Sequence, residues 1–165
     1  MFKEISAKDI DKNLISLIAD EWALLSAGDK NDYNMMTVSW GFAGEIWGND
    51  SIIALVRPQR YTINFTEKCD CFALSFYGDN KAVHKICGSM SGRDVNKTSL
   101  TKLTPIFDNN TVYFDEARLV IICKKQYADT LKKENFCDKA PLSNYASEDF
   151  HKFYIGKIEK VLVKE

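Results

Sequence analysis

The sequence predicts a mainly β fold, an antiparallel β-barrel that carries peripheral helices. Segments rich in β-branched and aromatic residues outnumber the helix-like segments, and the two kinds follow no regular βαβ alternation. No repeat, low-complexity tract or Pro/Gly/Ser-rich linker divides the 165 residues. We therefore expect one domain, residues 1–165, whose strands close or nearly close into a barrel.

The first predicted elements are a short helix and two strands. Aliphatic residues in Ile10–Ala19 recur on one helical stripe, and Trp22–Ser26 has the apolar character of a strand that enters the core. Asn34–Gly41 alternates between two faces, and its hydroxyl residues Thr37 and Ser39 share one of them. Such a strand can line a ligand with directed hydrogen bonds, or it can be an edge strand with a solvated face.

The remaining elements follow from residue type and spacing. Runs of β-branched and aromatic residues predict strands over Ser51–Arg57, Cys71–Tyr77, Thr111–Phe114, Leu119–Lys125 and Tyr154–Val163. Helix-like spacing predicts short helices over Tyr61–Lys68 and Lys81–Cys87, and a third over Gln126–Glu134.

Composition excludes several classes of protein. The formal net charge is -1 and the charges are scattered, so neither nucleic acid nor an anionic membrane is an expected partner. The N-terminus lacks an apolar signal segment, and no apolar run is long enough to span a membrane, which predicts a cytoplasmic protein. The five cysteines are odd in number and irregularly spaced, and the lone pair Cys69-x-Cys71 is too small a set for zinc or an iron–sulfur cluster. We predict free thiols and no metal site.

Two further segments have the residue types of an anion site. In Arg57-Pro58-Gln59-Arg60-Tyr61-Thr62, two guanidinium groups stand before a predicted helix start, where backbone N–H groups point outward, and Thr62 adds a hydroxyl donor close by. The alternative is a surface arginine pair that bridges local carboxylates. The loop Gly88–Lys97 combines small residues, hydroxyls and cations, as phosphate-binding loops do. It matches neither the P-loop nor the dinucleotide-fold pattern.

Taken together, these motifs resemble the flavin reductase-like family that includes flavoredoxins. The matching segments are Asn34-x-Met36-Thr37-x-Ser39-Trp40, Arg57-Pro58-x-Arg60-Tyr61-Thr62, Ser89-x-Ser91-Gly92-Arg93-Asp94-x-x-Lys97, Glu116-Ala117 and His151-x-x-Tyr154-x-Gly156. The resemblance implies an FMN-binding split β-barrel of antiparallel Greek-key type. It also implies a homodimer with FMN near the interface, and two-electron transfer from NAD(P)H or a redox protein partner through FMN to an acceptor.

The resemblance also implies which residues bind the cofactor. Asn34, Thr37, Ser39 and Trp40 would lie along the isoalloxazine ring and ribityl chain, and Arg57, Thr62, Ser89, Ser91, Arg93 and Lys97 would hold ribityl and phosphate groups. The cofactor-binding segments also include Met36, Val38, Pro58, Arg60, Gly92 and Asp94.

His151 matches a family histidine near the flavin, where imidazole can donate a hydrogen bond or supply a proton. His84 is expected to be a surface or packing residue. The chain departs from the family pattern at Asn96, where aspartate is common, and at the compact turn Gly48-Asn49-Asp50. The alternative function is a non-enzymatic split barrel that binds FMN or haem as a sensor or storage protein, with His151 as a candidate axial ligand.

Overall fold

The computed structural model of the protein describes residues 1–108 and 110–165. Its strands are β1 (Phe2–Ile5), β2 (Ala23–Gly28), β3 (Tyr33–Val38), β4 (Gly41–Ile46), β5 (Asn49–Val56), β6 (Cys71–Phe76), β7 (Pro105–Asp108), β8 (Thr111–Phe114), β9 (Leu119–Thr130) and β10 (Lys152–Lys164).

The helices are short and lie between strands. They are α1 (Leu14–Ser16), which continues into a π-helical turn (Leu17–Glu21), α2 (Ile63–Lys68), α3 (Lys81–Ser89) and α4 (Lys97–Thr101), with 3₁₀ turns at Ala7–Asp9, Lys133–Asn135 and Ala140–Tyr145. In the described part of the chain, no helix has the length and apolar character needed to cross a membrane.

Eight strands form one curled antiparallel sheet. Its hydrogen-bonded order is β3-β2-β6-β9-β10-β5-β4, and β1 pairs with β10. The strands at the two ends of this order, β3 and β4, are consecutive in the chain and separated only by Ser39 and Trp40. The predicted mainly β, antiparallel barrel with peripheral helices is therefore confirmed, and β7 and β8 form a separate hairpin.

One apolar cluster fills the barrel, and a second covers its outer face. The inner cluster draws residues from β2, β3, β5, β6, β9 and β10, while the outer one joins the sheet to α3 and the β7–β8 hairpin. On β3, Met36 and Val38 belong to the inner cluster and Met35 to the outer one. The alternation predicted for this strand is confirmed, and Thr37 lies on the face turned toward α3.

Some predicted boundaries are wrong. The helix predicted over Gln126–Glu134 is absent, because β9 continues to Thr130, where it pairs with Lys152 of β10. The predicted strand Asn34–Gly41 ends at Val38, and Gly41 already belongs to β4. Strands β1, β4 and β7 were not predicted.

Both departures from the family pattern have a local structural role. Trp47 and Gly48 have φ values of 56° and 72° and form the tight turn between β4 and β5, so this connection is compact. Asn96 is the N-cap of α4, where its side-chain oxygen accepts a hydrogen bond from the Ser99 amide at 3.0 Å. Asparagine and aspartate are both strong N-cap residues, so either side chain would cap α4 at this position.

Candidate functional site

A cleft of about 920 Å³ opens where β3 ends, between α3 and the segment that precedes β10. This volume lies in the upper part of the range of small-molecule sites. The residues that line it are Trp22, Met36, Thr37, Val38, Ser39, Trp40, Leu55, Arg57, Arg60, Lys81, Ala82, His84, Lys85, Gly88, Ser89 and His151.

One side of the cleft is formed by α3 together with Trp22, and we call Trp22, Lys81, His84 and Lys85 the helix wall. Lys81 and Lys85 are one turn apart and share a stripe of the helix with Ser89, whereas Val83 and other apolar residues pack into the outer cluster. The Lys81 ammonium lies 4.2 Å from the centre of the Trp22 ring and donates to the Glu21 carbonyl at 2.8 Å. Trp22 itself has φ 69°, a strained conformation for a bulky residue.

His84 is buried at the back of the helix wall. Thr37 Oγ1 donates to the His84 carbonyl at 2.8 Å, and the imidazole packs edge-on against Trp22 and Tyr77. Its Nε2 atom has no hydrogen-bond partner among the described residues. Burial, with a smaller contribution from Lys81, lowers the pKa of His84 to about 4, so the ring is neutral at pH 7.

The opposite side is held by contacts between distant segments, and we call Arg57, Tyr145, Asp149 and His151 the loop wall. Arg57 forms an ion pair with Asp149, donates to the Asn144 carbonyl at 2.9 Å and lies 5.2 Å from the centre of the Tyr145 ring. Tyr145 and His151 share a hydrogen bond of 2.9 Å at His151 Nδ1. The segment between β9 and β10 is thereby fixed against the start of the α2 region.

His151 brings an imidazole to the mouth of the cleft beside Trp40. The two ring centroids are 5.0 Å apart, and the Trp40 side chain is 44% exposed. Burial, and then the neighbouring Arg57, lowers the pKa of His151 to about 4. This imidazole is therefore also neutral at pH 7.

Two of the predicted cofactor-binding cations, Arg60 and Lys97, hold the C-terminal end of α3. Arg60 donates to the Gly88 and Cys87 carbonyls at 2.8 and 3.4 Å. Lys97 is buried and donates to the Met35 and Cys87 carbonyls at 2.8 and 3.2 Å, and burial lowers its pKa to about 8. Cations are favoured at this end of a helix, because its last carbonyls carry partial negative charge.

The cleft concentrates positive charge. Arg57, Arg60, Lys81 and Lys85 line it, and no described Asp or Glu does; among the described residues, Arg57 is the one of the four that is paired with a carboxylate, that of Asp149. The chain as a whole has 22 basic and 23 acidic residues, so the imbalance is a local property of the cleft. Clefts of one charge sign raise the local concentration of oppositely charged ligands, which makes this cleft suited to an anion.

The structure brings many of the predicted site residues together, but not all of them. Those that line the cleft are Met36, Thr37, Val38, Ser39, Trp40, Arg57, Arg60, Ser89 and His151. A second hollow of about 440 Å³ is lined by Asn34, Gly92, Arg93, Asp94 and Lys97. Pro58, Thr62 and Ser91 line neither the cleft nor the second hollow.

The second hollow is organised by contacts within the protein. The Asn34 amide donates to Thr62 Oγ1 at 3.1 Å, and a Cβ at Gly92 would collide with the Asn34 side chain. Arg93 lies 4.9 Å from the centre of the Tyr61 ring. These predicted ligands therefore support the loop beside the cleft, and their cofactor contacts stay a prediction.

Sequence reasoning missed the helix wall. Trp22, Lys81 and Lys85 were not among the predicted site residues, and His84 was expected only at the surface or in packing. The packing role is confirmed, but the residue also lines the cleft. The spacing of Lys81, Lys85 and Ser89 on one helical stripe was a usable signal, because residues four apart share a helix face.

The fold and the cleft define a split β-barrel with a site at the junction of its two edge strands. Solved structures with the same fold include the flavoredoxin from Methanosarcina acetivorans, with a TM-score of 0.68, 20% identity, and coverage of 88% of this chain and 69% of that one. The flavoredoxin of Desulfovibrio vulgaris (Miyazaki F) has a TM-score of 0.69 at 19% identity, over 97% of this chain and 78% of the other.

Further solved structures share this fold at low sequence identity. The FMN-binding protein from Thermus thermophilus with bound p-hydroxybenzaldehyde superposes with a TM-score of 0.70 at 15% identity, over 99% of this chain and 82% of that one. No family model and no curated protein sequence matches the chain. The similarity to these flavoredoxin and flavin reductase-like proteins establishes the fold as the split β-barrel that they share.

Proposed function

We propose that the protein binds FMN in the cleft and carries two electrons through it from NAD(P)H or a protein donor to an acceptor. The observation that carries the proposal is the cleft itself, which combines hydroxyl groups at a strand end, an exposed indole and cations without a lining carboxylate. An aromatic ring with a polar chain and a phosphate fits this combination. The shared fold with FMN-binding proteins supports the same assignment.

In this proposal the chain's own residues divide the work of holding FMN. Trp40, Met36, Val38 and Leu55 would contact the ring system, and Thr37 and Ser39 would hydrogen-bond its polar edge or the ribityl chain. Arg60 and Ser89 would lie toward the phosphate. FMN when bound would supply the redox chemistry, while the protein orients it and tunes its potential.

His151 would act in this site through a hydrogen bond. Because the pKa of His151 is lowered to about 4, the imidazole is neutral near pH 7 and is a weak source of protons there. Its hydrogen bond to Tyr145 at Nδ1 fixes the ring plane beside Trp40. We therefore assign it the role of a partner to a polar flavin atom.

A homodimer is part of the proposal, and an exposed aromatic surface supports it. Phe42 is 64% exposed and Trp47 is 58% exposed, and both lie on or next to the edge strand β4, which is hydrogen-bonded only to β5 among the described strands. Edge strands with exposed apolar side chains favour association. A cytoplasmic location, a single domain and a redox protein partner remain predictions from the sequence.

The test is a titration of the purified protein with FMN, followed by anaerobic addition of NADH or NADPH. We expect saturable binding with the visible absorption bands of oxidised flavin, and bleaching by the preferred nucleotide. Binding without bleaching would point to a protein donor, or to a sensor or storage protein. Absence of any flavin binding would exclude the proposal.

A matched pair of variants locates the site. Trp40→Ala should weaken FMN binding by about 1 kcal/mol, because an aromatic contact of this kind is lost. Phe107→Ala removes an aromatic of similar exposure, 41% against 44%, from β7 and should leave FMN affinity unchanged. Equal effects of the two variants would place FMN elsewhere.

A further inference from the structure

The cations of the cleft differ in how they are neutralised. Arg57 is paired with the Asp149 carboxylate, which donors from Arg57 and Gln59 hold in place. Arg60 and Lys81 bond instead to uncharged backbone carbonyls. A carbonyl satisfies the hydrogen bond of a cation but leaves its net charge, so both groups still contribute positive potential to the cleft.

Lys85 differs from the other three. It is exposed on the cleft-lining stripe of α3, and its ammonium bonds to no acceptor among the described residues. Lys81, one turn earlier, holds its own ammonium over Trp22 and the carbonyls of Asp20 and Glu21. The helix wall therefore presents one ammonium group that is free to bind a ligand, beside a second that is held in place.

We propose that Lys85, supported by the charge of Lys81, is a docking point for a phosphate monoester in the cleft. A phosphate monoester carries between one and two negative charges near pH 7 and offers three strong acceptor oxygens, which suits an ammonium with three donors. This inference rests on the proposed function, and two ligands could supply the group: the 5′-phosphate of FMN, or the 2′-phosphate that distinguishes NADPH from NADH.

The test compares Lys85→Gln with Lys68→Gln, which removes an exposed lysine of α2 that does not line the cleft. Dissociation constants are measured for FMN and for riboflavin, which lacks the phosphate. Half-saturating concentrations are measured for anaerobic flavin reduction by NADPH and by NADH. Urea midpoints of both variants establish that they fold.

For the ligand whose phosphate docks at Lys85, we expect a five- to tenfold loss of affinity in Lys85→Gln, between the effects of an exposed ion pair and of a charged hydrogen bond. The affinity for the counterpart that lacks the phosphate should change by less than twofold. Lys85→Arg should restore most of the lost affinity. A loss confined to FMN assigns the site to the flavin phosphate, and a loss confined to NADPH assigns it to the nucleotide.

Equal changes for each ligand and its phosphate-free counterpart would overturn the inference. Failure of the proposed function is a different result, because wild type and Lys68→Gln would then bind neither FMN nor riboflavin. In that case calorimetry with NADP⁺ and NAD⁺ on wild type and Lys85→Gln still tests the docking point. Equal affinities of wild type and Lys85→Gln for NADP⁺ would also overturn the inference.

Discussion

The two walls of the cleft carry the same kinds of group on differently built supports. The helix wall places Lys81 against Trp22 and a neutral His84 behind them, and most of it comes from one helical stripe. The loop wall places a neutral His151 beside Trp40 and Arg57 against Tyr145, and it joins segments that are about ninety residues apart in the chain. Each wall thus has a cation, an imidazole and an adjacent indole.

The two walls differ in whether their cations are paired with a carboxylate. Asp149 neutralises Arg57 in the loop wall, and its pKa is lowered by hydrogen bonds from Arg57 and Gln59. In the helix wall Lys81 bonds to carbonyls, and the Lys85 ammonium has no bonded acceptor in the part of the chain that the structure describes. The cations of this cleft are therefore not equivalent as ligand-binding groups, because a cation already paired with a carboxylate has little remaining charge to offer.

The largest expected effect tests the feature that the walls share, their neutral histidines. Both histidines have a folded-state pKa of about 4, below the unfolded value of about 6.5. The unfolded state therefore binds more protons between these values, and stability must fall as the pH is lowered through that window. Each histidine should cost about 2 kcal/mol between pH 7 and pH 5.

Urea unfolding at pH 7, 6 and 5 measures this loss in wild type, His84→Gln and His151→Gln. Each variant should remove about half of the pH dependence, since these are the two histidines of the chain. Carboxylates with lowered pKa values lose their contribution only below about pH 5, outside this window. The same pH dependence in all three proteins would refute the assignment.

A smaller effect is expected from breaking the loop wall at one hydrogen bond. Tyr145→Phe removes the 2.9 Å bond to His151 Nδ1 and leaves a buried ring nitrogen without it, which should cost about 1 kcal/mol. Tyr127→Phe is the matched control, because its hydroxyl makes an exposed 3.3 Å contact with Asp129. Chemical denaturation of both variants checks the difference, and equal stabilities would contradict the buried role of Tyr145.

The smallest effect concerns the end of the helix wall. Gly88 lies within α3, and a Cβ there would meet Thr37 at 3.4 Å, an ordinary van der Waals distance. Gly88→Ala should therefore stabilise the protein by about 0.5 kcal/mol, because alanine favours the helix more than glycine does. Thermal unfolding measures the shift. A lower melting temperature would mean that α3 and β3 pack too closely for a methyl group.

Local patterns predicted the parts of the site that depend on neighbouring residues. The alternation of β3 placed Thr37 correctly on the face opposite Met36 and Val38, because the side-chain period of a strand is a property of the strand alone. The same patterns misjudged Gln126–Glu134, since pairing with β10 decides its conformation, and that partner lies more than twenty residues away. They also could not reveal that Lys97 is satisfied by Met35 and Cys87.

From the amino-acid sequence alone came the mainly antiparallel fold, most of its strands, and the segments from which the cleft is built. The tertiary structure decided which of these side chains meet: Arg57 with Asp149, Arg60 with the end of α3, and His84 with Thr37. The physical reason is the separation along the chain over which each interaction acts. Strand and helix patterns arise within a few residues, whereas pairing, burial and the neutralisation of charge depend on groups that only folding brings together.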